Sequence, residues 1–204
     1  MGTVTVLLGL LVIGGLLFLI GWVRTPQVTE QREVIMQPVM FDHRHHHVDD
    51  AISCRYCHWS AFSAQSAGYP PTSLCMNCHN QIWNGAEALE TVRQSYFTQT
   101  PIRWRRVHNL PEHVHFSHAR HVNRGVGCVS CHGRVEQMAA VYQVEPLNMG
   151  WCLECHRNPA KYVRPQQFIT DSAYTPARPQ QVVGAEIVRE RGINPPVNCS
   201  ACHY

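Results

Sequence analysis

The sequence predicts a mostly irregular fold of short α-helices, preceded by a single transmembrane helix at the amino terminus. Three observations lead to this fold class. All ten cysteines of the 204-residue chain fall in five short motifs of one pattern. Thirteen glycines and 13 prolines are spread along the chain, which favours turns and loops over long regular elements. Residues 4–23 form an apolar run without a single charge.

The five motifs are Cys-x-x-Cys-His, the signal for covalent attachment of haem c. A zinc ribbon needs four ligands per metal and no histidine at this offset, and a disulfide framework does not need that histidine either. The sequence therefore predicts a multihaem cytochrome c, wrapped round five covalent haem c groups that supply much of its interior. The attaching residues are Cys54, Cys57, Cys75, Cys78, Cys128, Cys131, Cys152, Cys155, Cys199 and Cys202, and the proximal iron ligands are His58, His79, His132, His156 and His203.

A repeat supplies candidates for the distal iron ligands. The pattern Phe-x-His-x-x-His begins at Phe41 and again 75 residues later at Phe116, each time ahead of a haem motif. Self-similarity of this kind indicates a repeated structural unit. Two histidines three residues apart lie on one side of a helical turn at different heights, which suits ligation of two neighbouring haems. The predicted distal ligands are His43, His46, His118 and His121.

The distal ligand of the fifth iron stays open at this stage. A methionine thioether is a soft ligand that raises the haem potential, and Met138 and Met149 both lie close to attachment motifs. His108 is the third candidate. The remaining histidines are expected to contact haem propionates or solvent; they are His45, His47, His113 and His115.

The spacing of the motifs predicts the organisation of the chain. Residues 1–24 are the anchor, 25–107 a first dihaem module with a connecting helix near 86–96, and 108–158 a second dihaem module. Residues 159–204 are predicted to form an extended, proline-rich arm that ends in the fifth haem site.

The apolar run predicts a retained single-pass anchor in the bacterial cytoplasmic membrane. About 20 such residues cross the hydrocarbon core as a helix, and the run is longer than the core of a signal peptide and lacks its small-residue cleavage site. Arg24 and Arg32 follow the span, which by charge alone would place the body in the cytoplasm. Attachment of haem c belongs to the oxidising side of the membrane, so the haem domain is predicted on the periplasmic side.

The formal charge of +3 does not describe the haem-loaded protein, because every haem c adds two propionates. The lysines and arginines form no basic run, so no nucleic-acid binding is predicted.

Two stretches carry a resemblance to a known family. "FDHRHHH…CRYCH" and "VHNLPEHVHFSHARHVNRGVGCVSCHGRVEQM…LNMGWCLECHRNP" resemble the pentahaem cytochrome c subunit of the bacterial alternative complex III, a quinol-oxidising assembly. The likeness covers roughly residues 36–160, the anchor and the terminal site. It implies a periplasmic position, contacts with an iron–sulfur subunit and with quinol-binding membrane subunits, and electron transfer toward a monohaem cytochrome c. The chain is also similar to multihaem subunits of related quinone reductase complexes.

Ligand supply predicts an electron-transfer subunit without catalytic residues of its own. The histidines and methionines suffice to fill both axial positions of all five irons, whereas a catalytic reductase needs an open position. A stand-alone, membrane-anchored quinol dehydrogenase of the type used in nitrate and nitrite respiration is the main alternative. The two are distinguished by whether the chain alone oxidises quinol.

Overall fold

The computed structural model describes residues 2–204, and within that range the chain is helical without a strand. Two isolated backbone bridges, Gln31 with Gln143 and Val126 with Val163, are the sheet-like contacts there. The prediction of short helices joined by loops is thus confirmed. The α-helices are α1 (Gly2–Trp22), α2 (Pro26–Thr29), α3 (Cys54–Cys57), α4 (Thr72–His79), α5 (Glu90–Thr98), α6 (His118–Val122), α7 (Val129–His132), α8 (Met149–Arg157) and α9 (Gln180–Glu190).

Helix α1 is the one helix among residues 2–204 that is long and apolar enough to cross a membrane. An 18-residue window within its 21 residues has a mean hydropathy of 2.7, and none of the helix is buried against the rest of the protein. At 1.5 Å per residue the helix is about 31 Å long, close to the thickness of a bilayer core of about 30 Å. Its apolar side chains point in all directions, as expected for a helix whose whole circumference meets lipid.

The segment that follows α1 is hydrogen-bonded to the rest of the protein only a few residues after the helix ends. The Arg32 N–H donates to the Gln143 carbonyl over 2.7 Å, and the Gln31 side-chain amide donates to the Val144 carbonyl over 2.6 Å. The Val144 side chain in turn packs at Gly133, the residue directly after His132. Helix α1 is therefore connected to the segment around His132 through only a few residues.

The polypeptide has a small apolar core of its own. One cluster lies between α4 and α5, where the short predicted helix near residues 86–96 is found as a 3₁₀ turn, Glu87–Leu89, followed by α5. Its buried members are Val39, Met76 and Val92, with Cys75, Leu89, Tyr96, Ile102 and Trp104 packed round them.

The predicted extended arm contains a helix, so that prediction is wrong for residues 180–190. Helix α9 packs on the 3₁₀ turn Pro159–Lys161 that follows the fourth haem motif. The Gln180 side chain donates to the carbonyls of Ala160 and Val163, at 3.0 and 2.8 Å. At Gly184 a β-carbon would collide with the Ala160 carbonyl, so the two backbones approach as closely as only glycine allows. This docking fixes where the chain turns toward its last haem motif.

Candidate haem sites

Each Cys-x-x-Cys-His motif folds as a single helical turn. Helices α3 and α7 are such turns, α4 and α8 end in them, and the last motif forms the 3₁₀ turn Cys199–Ala201. A turn places the two thiols, three residues apart, on one side, with the histidine just beyond them. Polar caps begin two of these helices: the Arg55 N–H donates to the Ser53 hydroxyl, and the Trp151 N–H donates to the Asn148 side chain.

The thiols do not form disulfides, and their surroundings do not favour zinc. All ten cysteines are unpaired, and among residues 2–204 no three His, Cys, Asp or Glu side chains converge as a metal site. Burial, aided by the neighbouring Cys155 and Cys152, raises the pKa of Cys131 to about 12, and burial raises that of Cys155 to about 11. Zinc needs four ligands that meet at one point, and these thiols are not brought together in that way.

The first haem motif of each repeat has a second histidine ring opposite its proximal one. The centroids of His43 and His58 are 6.5 Å apart with the rings 9° from parallel, and those of His118 and His132 are 6.3 Å apart at 13°. Two imidazole nitrogens bound to one metal at about 2 Å each leave their ring centroids about 6.3 Å apart. The gap between the rings therefore fits one iron with two axial histidines.

The second motif of each repeat has the same spacing. The centroids of His46 and His79 are 6.1 Å apart, as are those of His121 and His156, with the rings inclined at 68° and 42°. The four distal histidines predicted from the repeat thus each face a proximal histidine. Their assignment as ligands remains a prediction that this geometry supports.

A phenylalanine supports both distal histidines in each repeat. Phe41 meets His43 edge-on at 4.8 Å and stacks on His46 at 4.3 Å. Phe116 meets His118 edge-on at 4.8 Å and stacks on His121 at 4.4 Å. The first residue of the Phe-x-His-x-x-His pattern thus fixes the orientation of both rings.

Hydrogen bonds at Nδ1 leave Nε2 of most of these rings free for a metal. A backbone carbonyl accepts each bond, and this fixes the ring tautomer and raises the basicity of the ligand. The pairs are His46 with Asp42 (2.9 Å), His121 with Ser117 (2.8 Å), His118 with Gln65 (3.1 Å), His79 with Ile82 (3.1 Å) and His156 with Pro196 (2.6 Å).

Burial keeps several of these imidazoles neutral, which is the form that binds iron. Burial, with smaller contributions from other histidines, lowers the pKa of His43 to about 4 and that of His132 to about 3. A neutral ring at neutral pH needs no proton loss before it binds a metal.

The fifth motif is faced by His113, which the sequence did not single out. The ring centroids of His113 and His203 are 5.4 Å apart at 26°, and His203 Nδ1 donates to the His113 carbonyl over 2.9 Å. The His115 N–H also donates to the Cys202 carbonyl, over 2.8 Å. The signal in the sequence was weak: a histidine five residues ahead of the Phe-x-His-x-x-His pair in the second repeat only.

The three earlier candidates for the fifth distal ligand lie in different surroundings. His108 Nε2 is 3.2 Å from Nδ1 of His132, so it is placed to accept a hydrogen bond from the proximal ligand of the third site. Met138 is buried, and Met149 is 67% exposed at the start of α8. Of the other histidines, His47 Nδ1 donates to the Ile52 carbonyl over 2.8 Å, and His45 lies beside Asp49 at 3.3 Å.

Comparison with known proteins gives matches to c-type cytochromes. Residues 114–204 match the family described as cytochrome c7 and related cytochrome c. The chain is also 27% identical, over 160 residues, to the multihaem cytochrome c subunit of the menaquinone reductase of Nitratidesulfovibrio vulgaris strain Hildenborough. That match covers 68% of this chain and 75% of the relative.

Proposed function

We propose that this multihaem c-type cytochrome is the membrane-anchored pentahaem electron-transfer subunit of a quinol-oxidising respiratory or photosynthetic complex of the alternative complex III type. The observation that carries the proposal is the pairing of four proximal histidines with a second histidine ring at 6.1 to 6.5 Å, together with a fifth pair whose rings lie closer, at 5.4 Å. An iron with two axial histidines is low-spin and has no open position for a substrate. Such sites pass electrons on and do not act on substrates.

The relative supports the link to quinone chemistry. It is named a subunit of a menaquinone reductase, and the match covers most of both chains. We infer by similarity that this chain also works as one subunit among several. Its partners are then an iron–sulfur subunit, quinol-binding integral membrane subunits and a monohaem cytochrome c.

In this role haem c would supply the one-electron couple, and the chain would supply its attachment points, its iron ligands and its surroundings. The cysteine pairs would hold the porphyrins, the opposed rings would supply ligands to the irons, and the carbonyls at Nδ1 orient these rings, while burial favours their neutral form. Because each ligand is fixed by packing or by a hydrogen bond, little rearrangement is needed when an electron arrives or leaves.

Helix α1 supports a single-pass anchor, with the haem domain on the periplasmic side, where haem c is attached. The quinol site belongs to partner subunits in this proposal. Quinol oxidation releases protons as well as electrons, and residues 4–23 contain no ionisable side chain to accept them. A lone helix also cannot enclose the concave, largely apolar cavity that a quinone needs.

The name of the relative favours a second candidate, in which electrons run toward menaquinone. The ligand geometry is the same in both directions, because a low-spin iron both takes up and releases an electron. The direction is tested with the intact complex, by supplying reduced cytochrome c with a quinone and then quinol with oxidised cytochrome c. Quinol-dependent reduction of cytochrome c supports the first candidate.

The subunit role is tested with the detergent-solubilised chain, purified with and without its partners. A pyridine haemochrome assay should give five haems per chain. Menaquinol or ubiquinol analogues should reduce these haems rapidly in the complex and only slowly in the isolated chain. Rapid, inhibitor-sensitive reduction of the isolated chain would instead establish a stand-alone quinol dehydrogenase.

A further inference from the structure

The contacts between haem motifs show which sites are neighbours. Each motif is named here by its first cysteine, so that site 54 has Cys54 and His58, and the others are sites 75, 128, 152 and 199. Two sites are neighbours when one helical turn carries a distal ring of each, or when the loop that flanks one motif hydrogen-bonds to a ligand ring of the other.

Within each repeat, one turn holds the distal rings of two sites. His43 faces site 54 and His46 faces site 75, three residues apart on either side of the Phe41 ring. The two motifs also touch directly, because the Asn77 side chain donates to the Tyr56 hydroxyl over 3.1 Å. His118 and His121 link sites 128 and 152 in the same way.

The two repeats meet through sites 54 and 128. The chain just after His58 forms a 3₁₀ turn, Trp59–Phe62, that packs on α6, the helix that carries the distal ligand of site 128. The Asn123 side chain donates to the Phe62 carbonyl over 2.9 Å, and the Gln65 carbonyl accepts from the His118 ring over 3.1 Å. The loop that follows site 54 therefore orients the ligand of site 128.

Sites 152 and 199 are joined near the carboxyl terminus. His156 of site 152 donates to the Pro196 carbonyl over 2.6 Å, and Pro196 lies three residues before Cys199.

We propose that the five sites form one unbranched file in the order 75, 54, 128, 152, 199, with site 128 at the centre. The order differs from the order along the chain, because the first motif lies inside the file and the second at its end. The direction of use rests on the function proposed above, but the order does not.

Exposure of the cysteines fits the two ends of this file. Among the ten, Cys78 of site 75 and Cys199 of site 199 are exposed, whereas the other eight are partly buried. A file of electron carriers needs its terminal members at the surface, where partners can approach them, and its inner members covered. Electrons therefore enter at one of these two sites and leave at the other.

Neighbour relations can be read by nuclear magnetic resonance on the full chain in detergent. In the fully reduced protein, low-spin ferrous haems are diamagnetic, and nuclear Overhauser contacts between haem substituents report adjacent pairs. An unbranched file predicts four haem pairs in contact, with two haems that have one neighbour and three that have two. A branched or closed pattern overturns the proposal without any variant being made.

A matched pair of variants assigns an end of the file. His46 and His121 occupy equivalent positions in the two repeats, but His46 serves the terminal site 75 and His121 the inner site 152. In reduced His46→Ala protein, the open haem becomes high-spin and should broaden the signals of one other haem. In reduced His121→Ala protein, two other haems should broaden.

Carbon monoxide is the control, since it returns the opened ferrous iron to the low-spin state and should restore the lost signals. Broadening of two haems by His46→Ala, or of one by His121→Ala, overturns the order. A variant that does not fold is recognised by signals that carbon monoxide does not restore, and the contact pattern of the unaltered protein then decides alone. Neither result depends on whether the chain reacts with quinol. The same spectrum also gives the number of haem signals, so the count of five haems is tested separately from their order.

Discussion

Site 54 and site 128 occupy the same position in the two repeats, yet their predicted ligand rings have different hydrogen-bond partners. The ring pairs are nearly alike, at 6.5 and 6.3 Å between centroids. At site 128, Nδ1 of His118 donates to a carbonyl over 3.1 Å, and Nδ1 of His132 lies 3.2 Å from His108. At site 54, Nδ1 of His43 is buried with no partner among residues 2–204.

This difference teaches that the repeat determines where the predicted ligand rings lie, but not how basic these rings are. The partners at site 128 come from outside its repeat pattern: Gln65 from the loop of the other module and His108 from the segment ahead of Phe116. Donation from Nδ1 gives an imidazole more negative character, which stabilises ferric iron and lowers the haem potential. Site 128 should therefore have a lower potential than site 54.

The largest expected effect comes from removing the distal rings, because each removal takes away one predicted iron ligand. The two variants together test whether the two sites are equivalent in coordination. His43→Ala and His118→Ala should each leave one iron five-coordinate. Each variant should bind one equivalent of carbon monoxide in the ferrous state, which the parent protein should not. The optical spectrum measures this directly, and a fully low-spin spectrum in either variant would remove that residue from the ligand set.

A smaller effect should follow from replacing the residue directly after the proximal histidine of the first haem motif in each repeat. In the second repeat this is Gly133, with φ +67°, where a β-carbon would lie 2.6 Å from the Val144 side chain. Gly133→Ala should lower the free energy of unfolding by about 2 to 3 kcal/mol, through backbone strain and overpacking together.

The first repeat offers the matched control, because Trp59 stands at the equivalent position and is 62% exposed. Trp59→Ala should change the free energy of unfolding by less than about 1 kcal/mol, as exposed positions generally do. Denaturant titration followed by circular dichroism compares the two variants. Equal losses in both would contradict the view that the second repeat is the more tightly packed.

The smallest expected effect concerns the potential of site 128. His108→Phe removes the acceptor for Nδ1 of His132, so the potential of one haem should rise. A hydrogen bond worth about 0.5 to 1.5 kcal/mol corresponds to about 20 to 60 mV for one electron. A spectroscopic redox titration measures the shift.

His115→Phe serves as the control for this titration, since the same exchange is made at a ring that stacks on Tyr204. It should leave the potential of site 128 unchanged. If both variants shift the same haem equally, the hydrogen bond at His132 is not the cause of its low potential.

Local features of the structure were predictable from sequence, and long-range ones were not. The haem motifs and the pairs His43 with His46 and His118 with His121 depend on short spacings within a turn, which a sequence displays directly. The position of His113 depends on the return of the chain 90 residues later, where His203 donates to its carbonyl. No local pattern encodes that approach.

Helix α9 was missed for a related reason. Its sequence, QQVVGAEIVRE, follows a proline-rich stretch and has a glycine near its middle, which lowers the expectation of a helix. In the structure this glycine is the point of closest contact with the turn at Ala160. The feature that weakened the local signal is thus the one that the tertiary contact requires.

The bridge between Gln31 and Gln143 limits how far the haem domain can move from the lipid surface. Eight residues connect the end of the apolar run at Val23 to this bridge, so their reach is at most about 28 Å even when fully extended. If α1 spans the bilayer, so short a tether confines the body to a thin layer above the membrane surface. Partners in the same bilayer then need only diffuse in two dimensions to meet it.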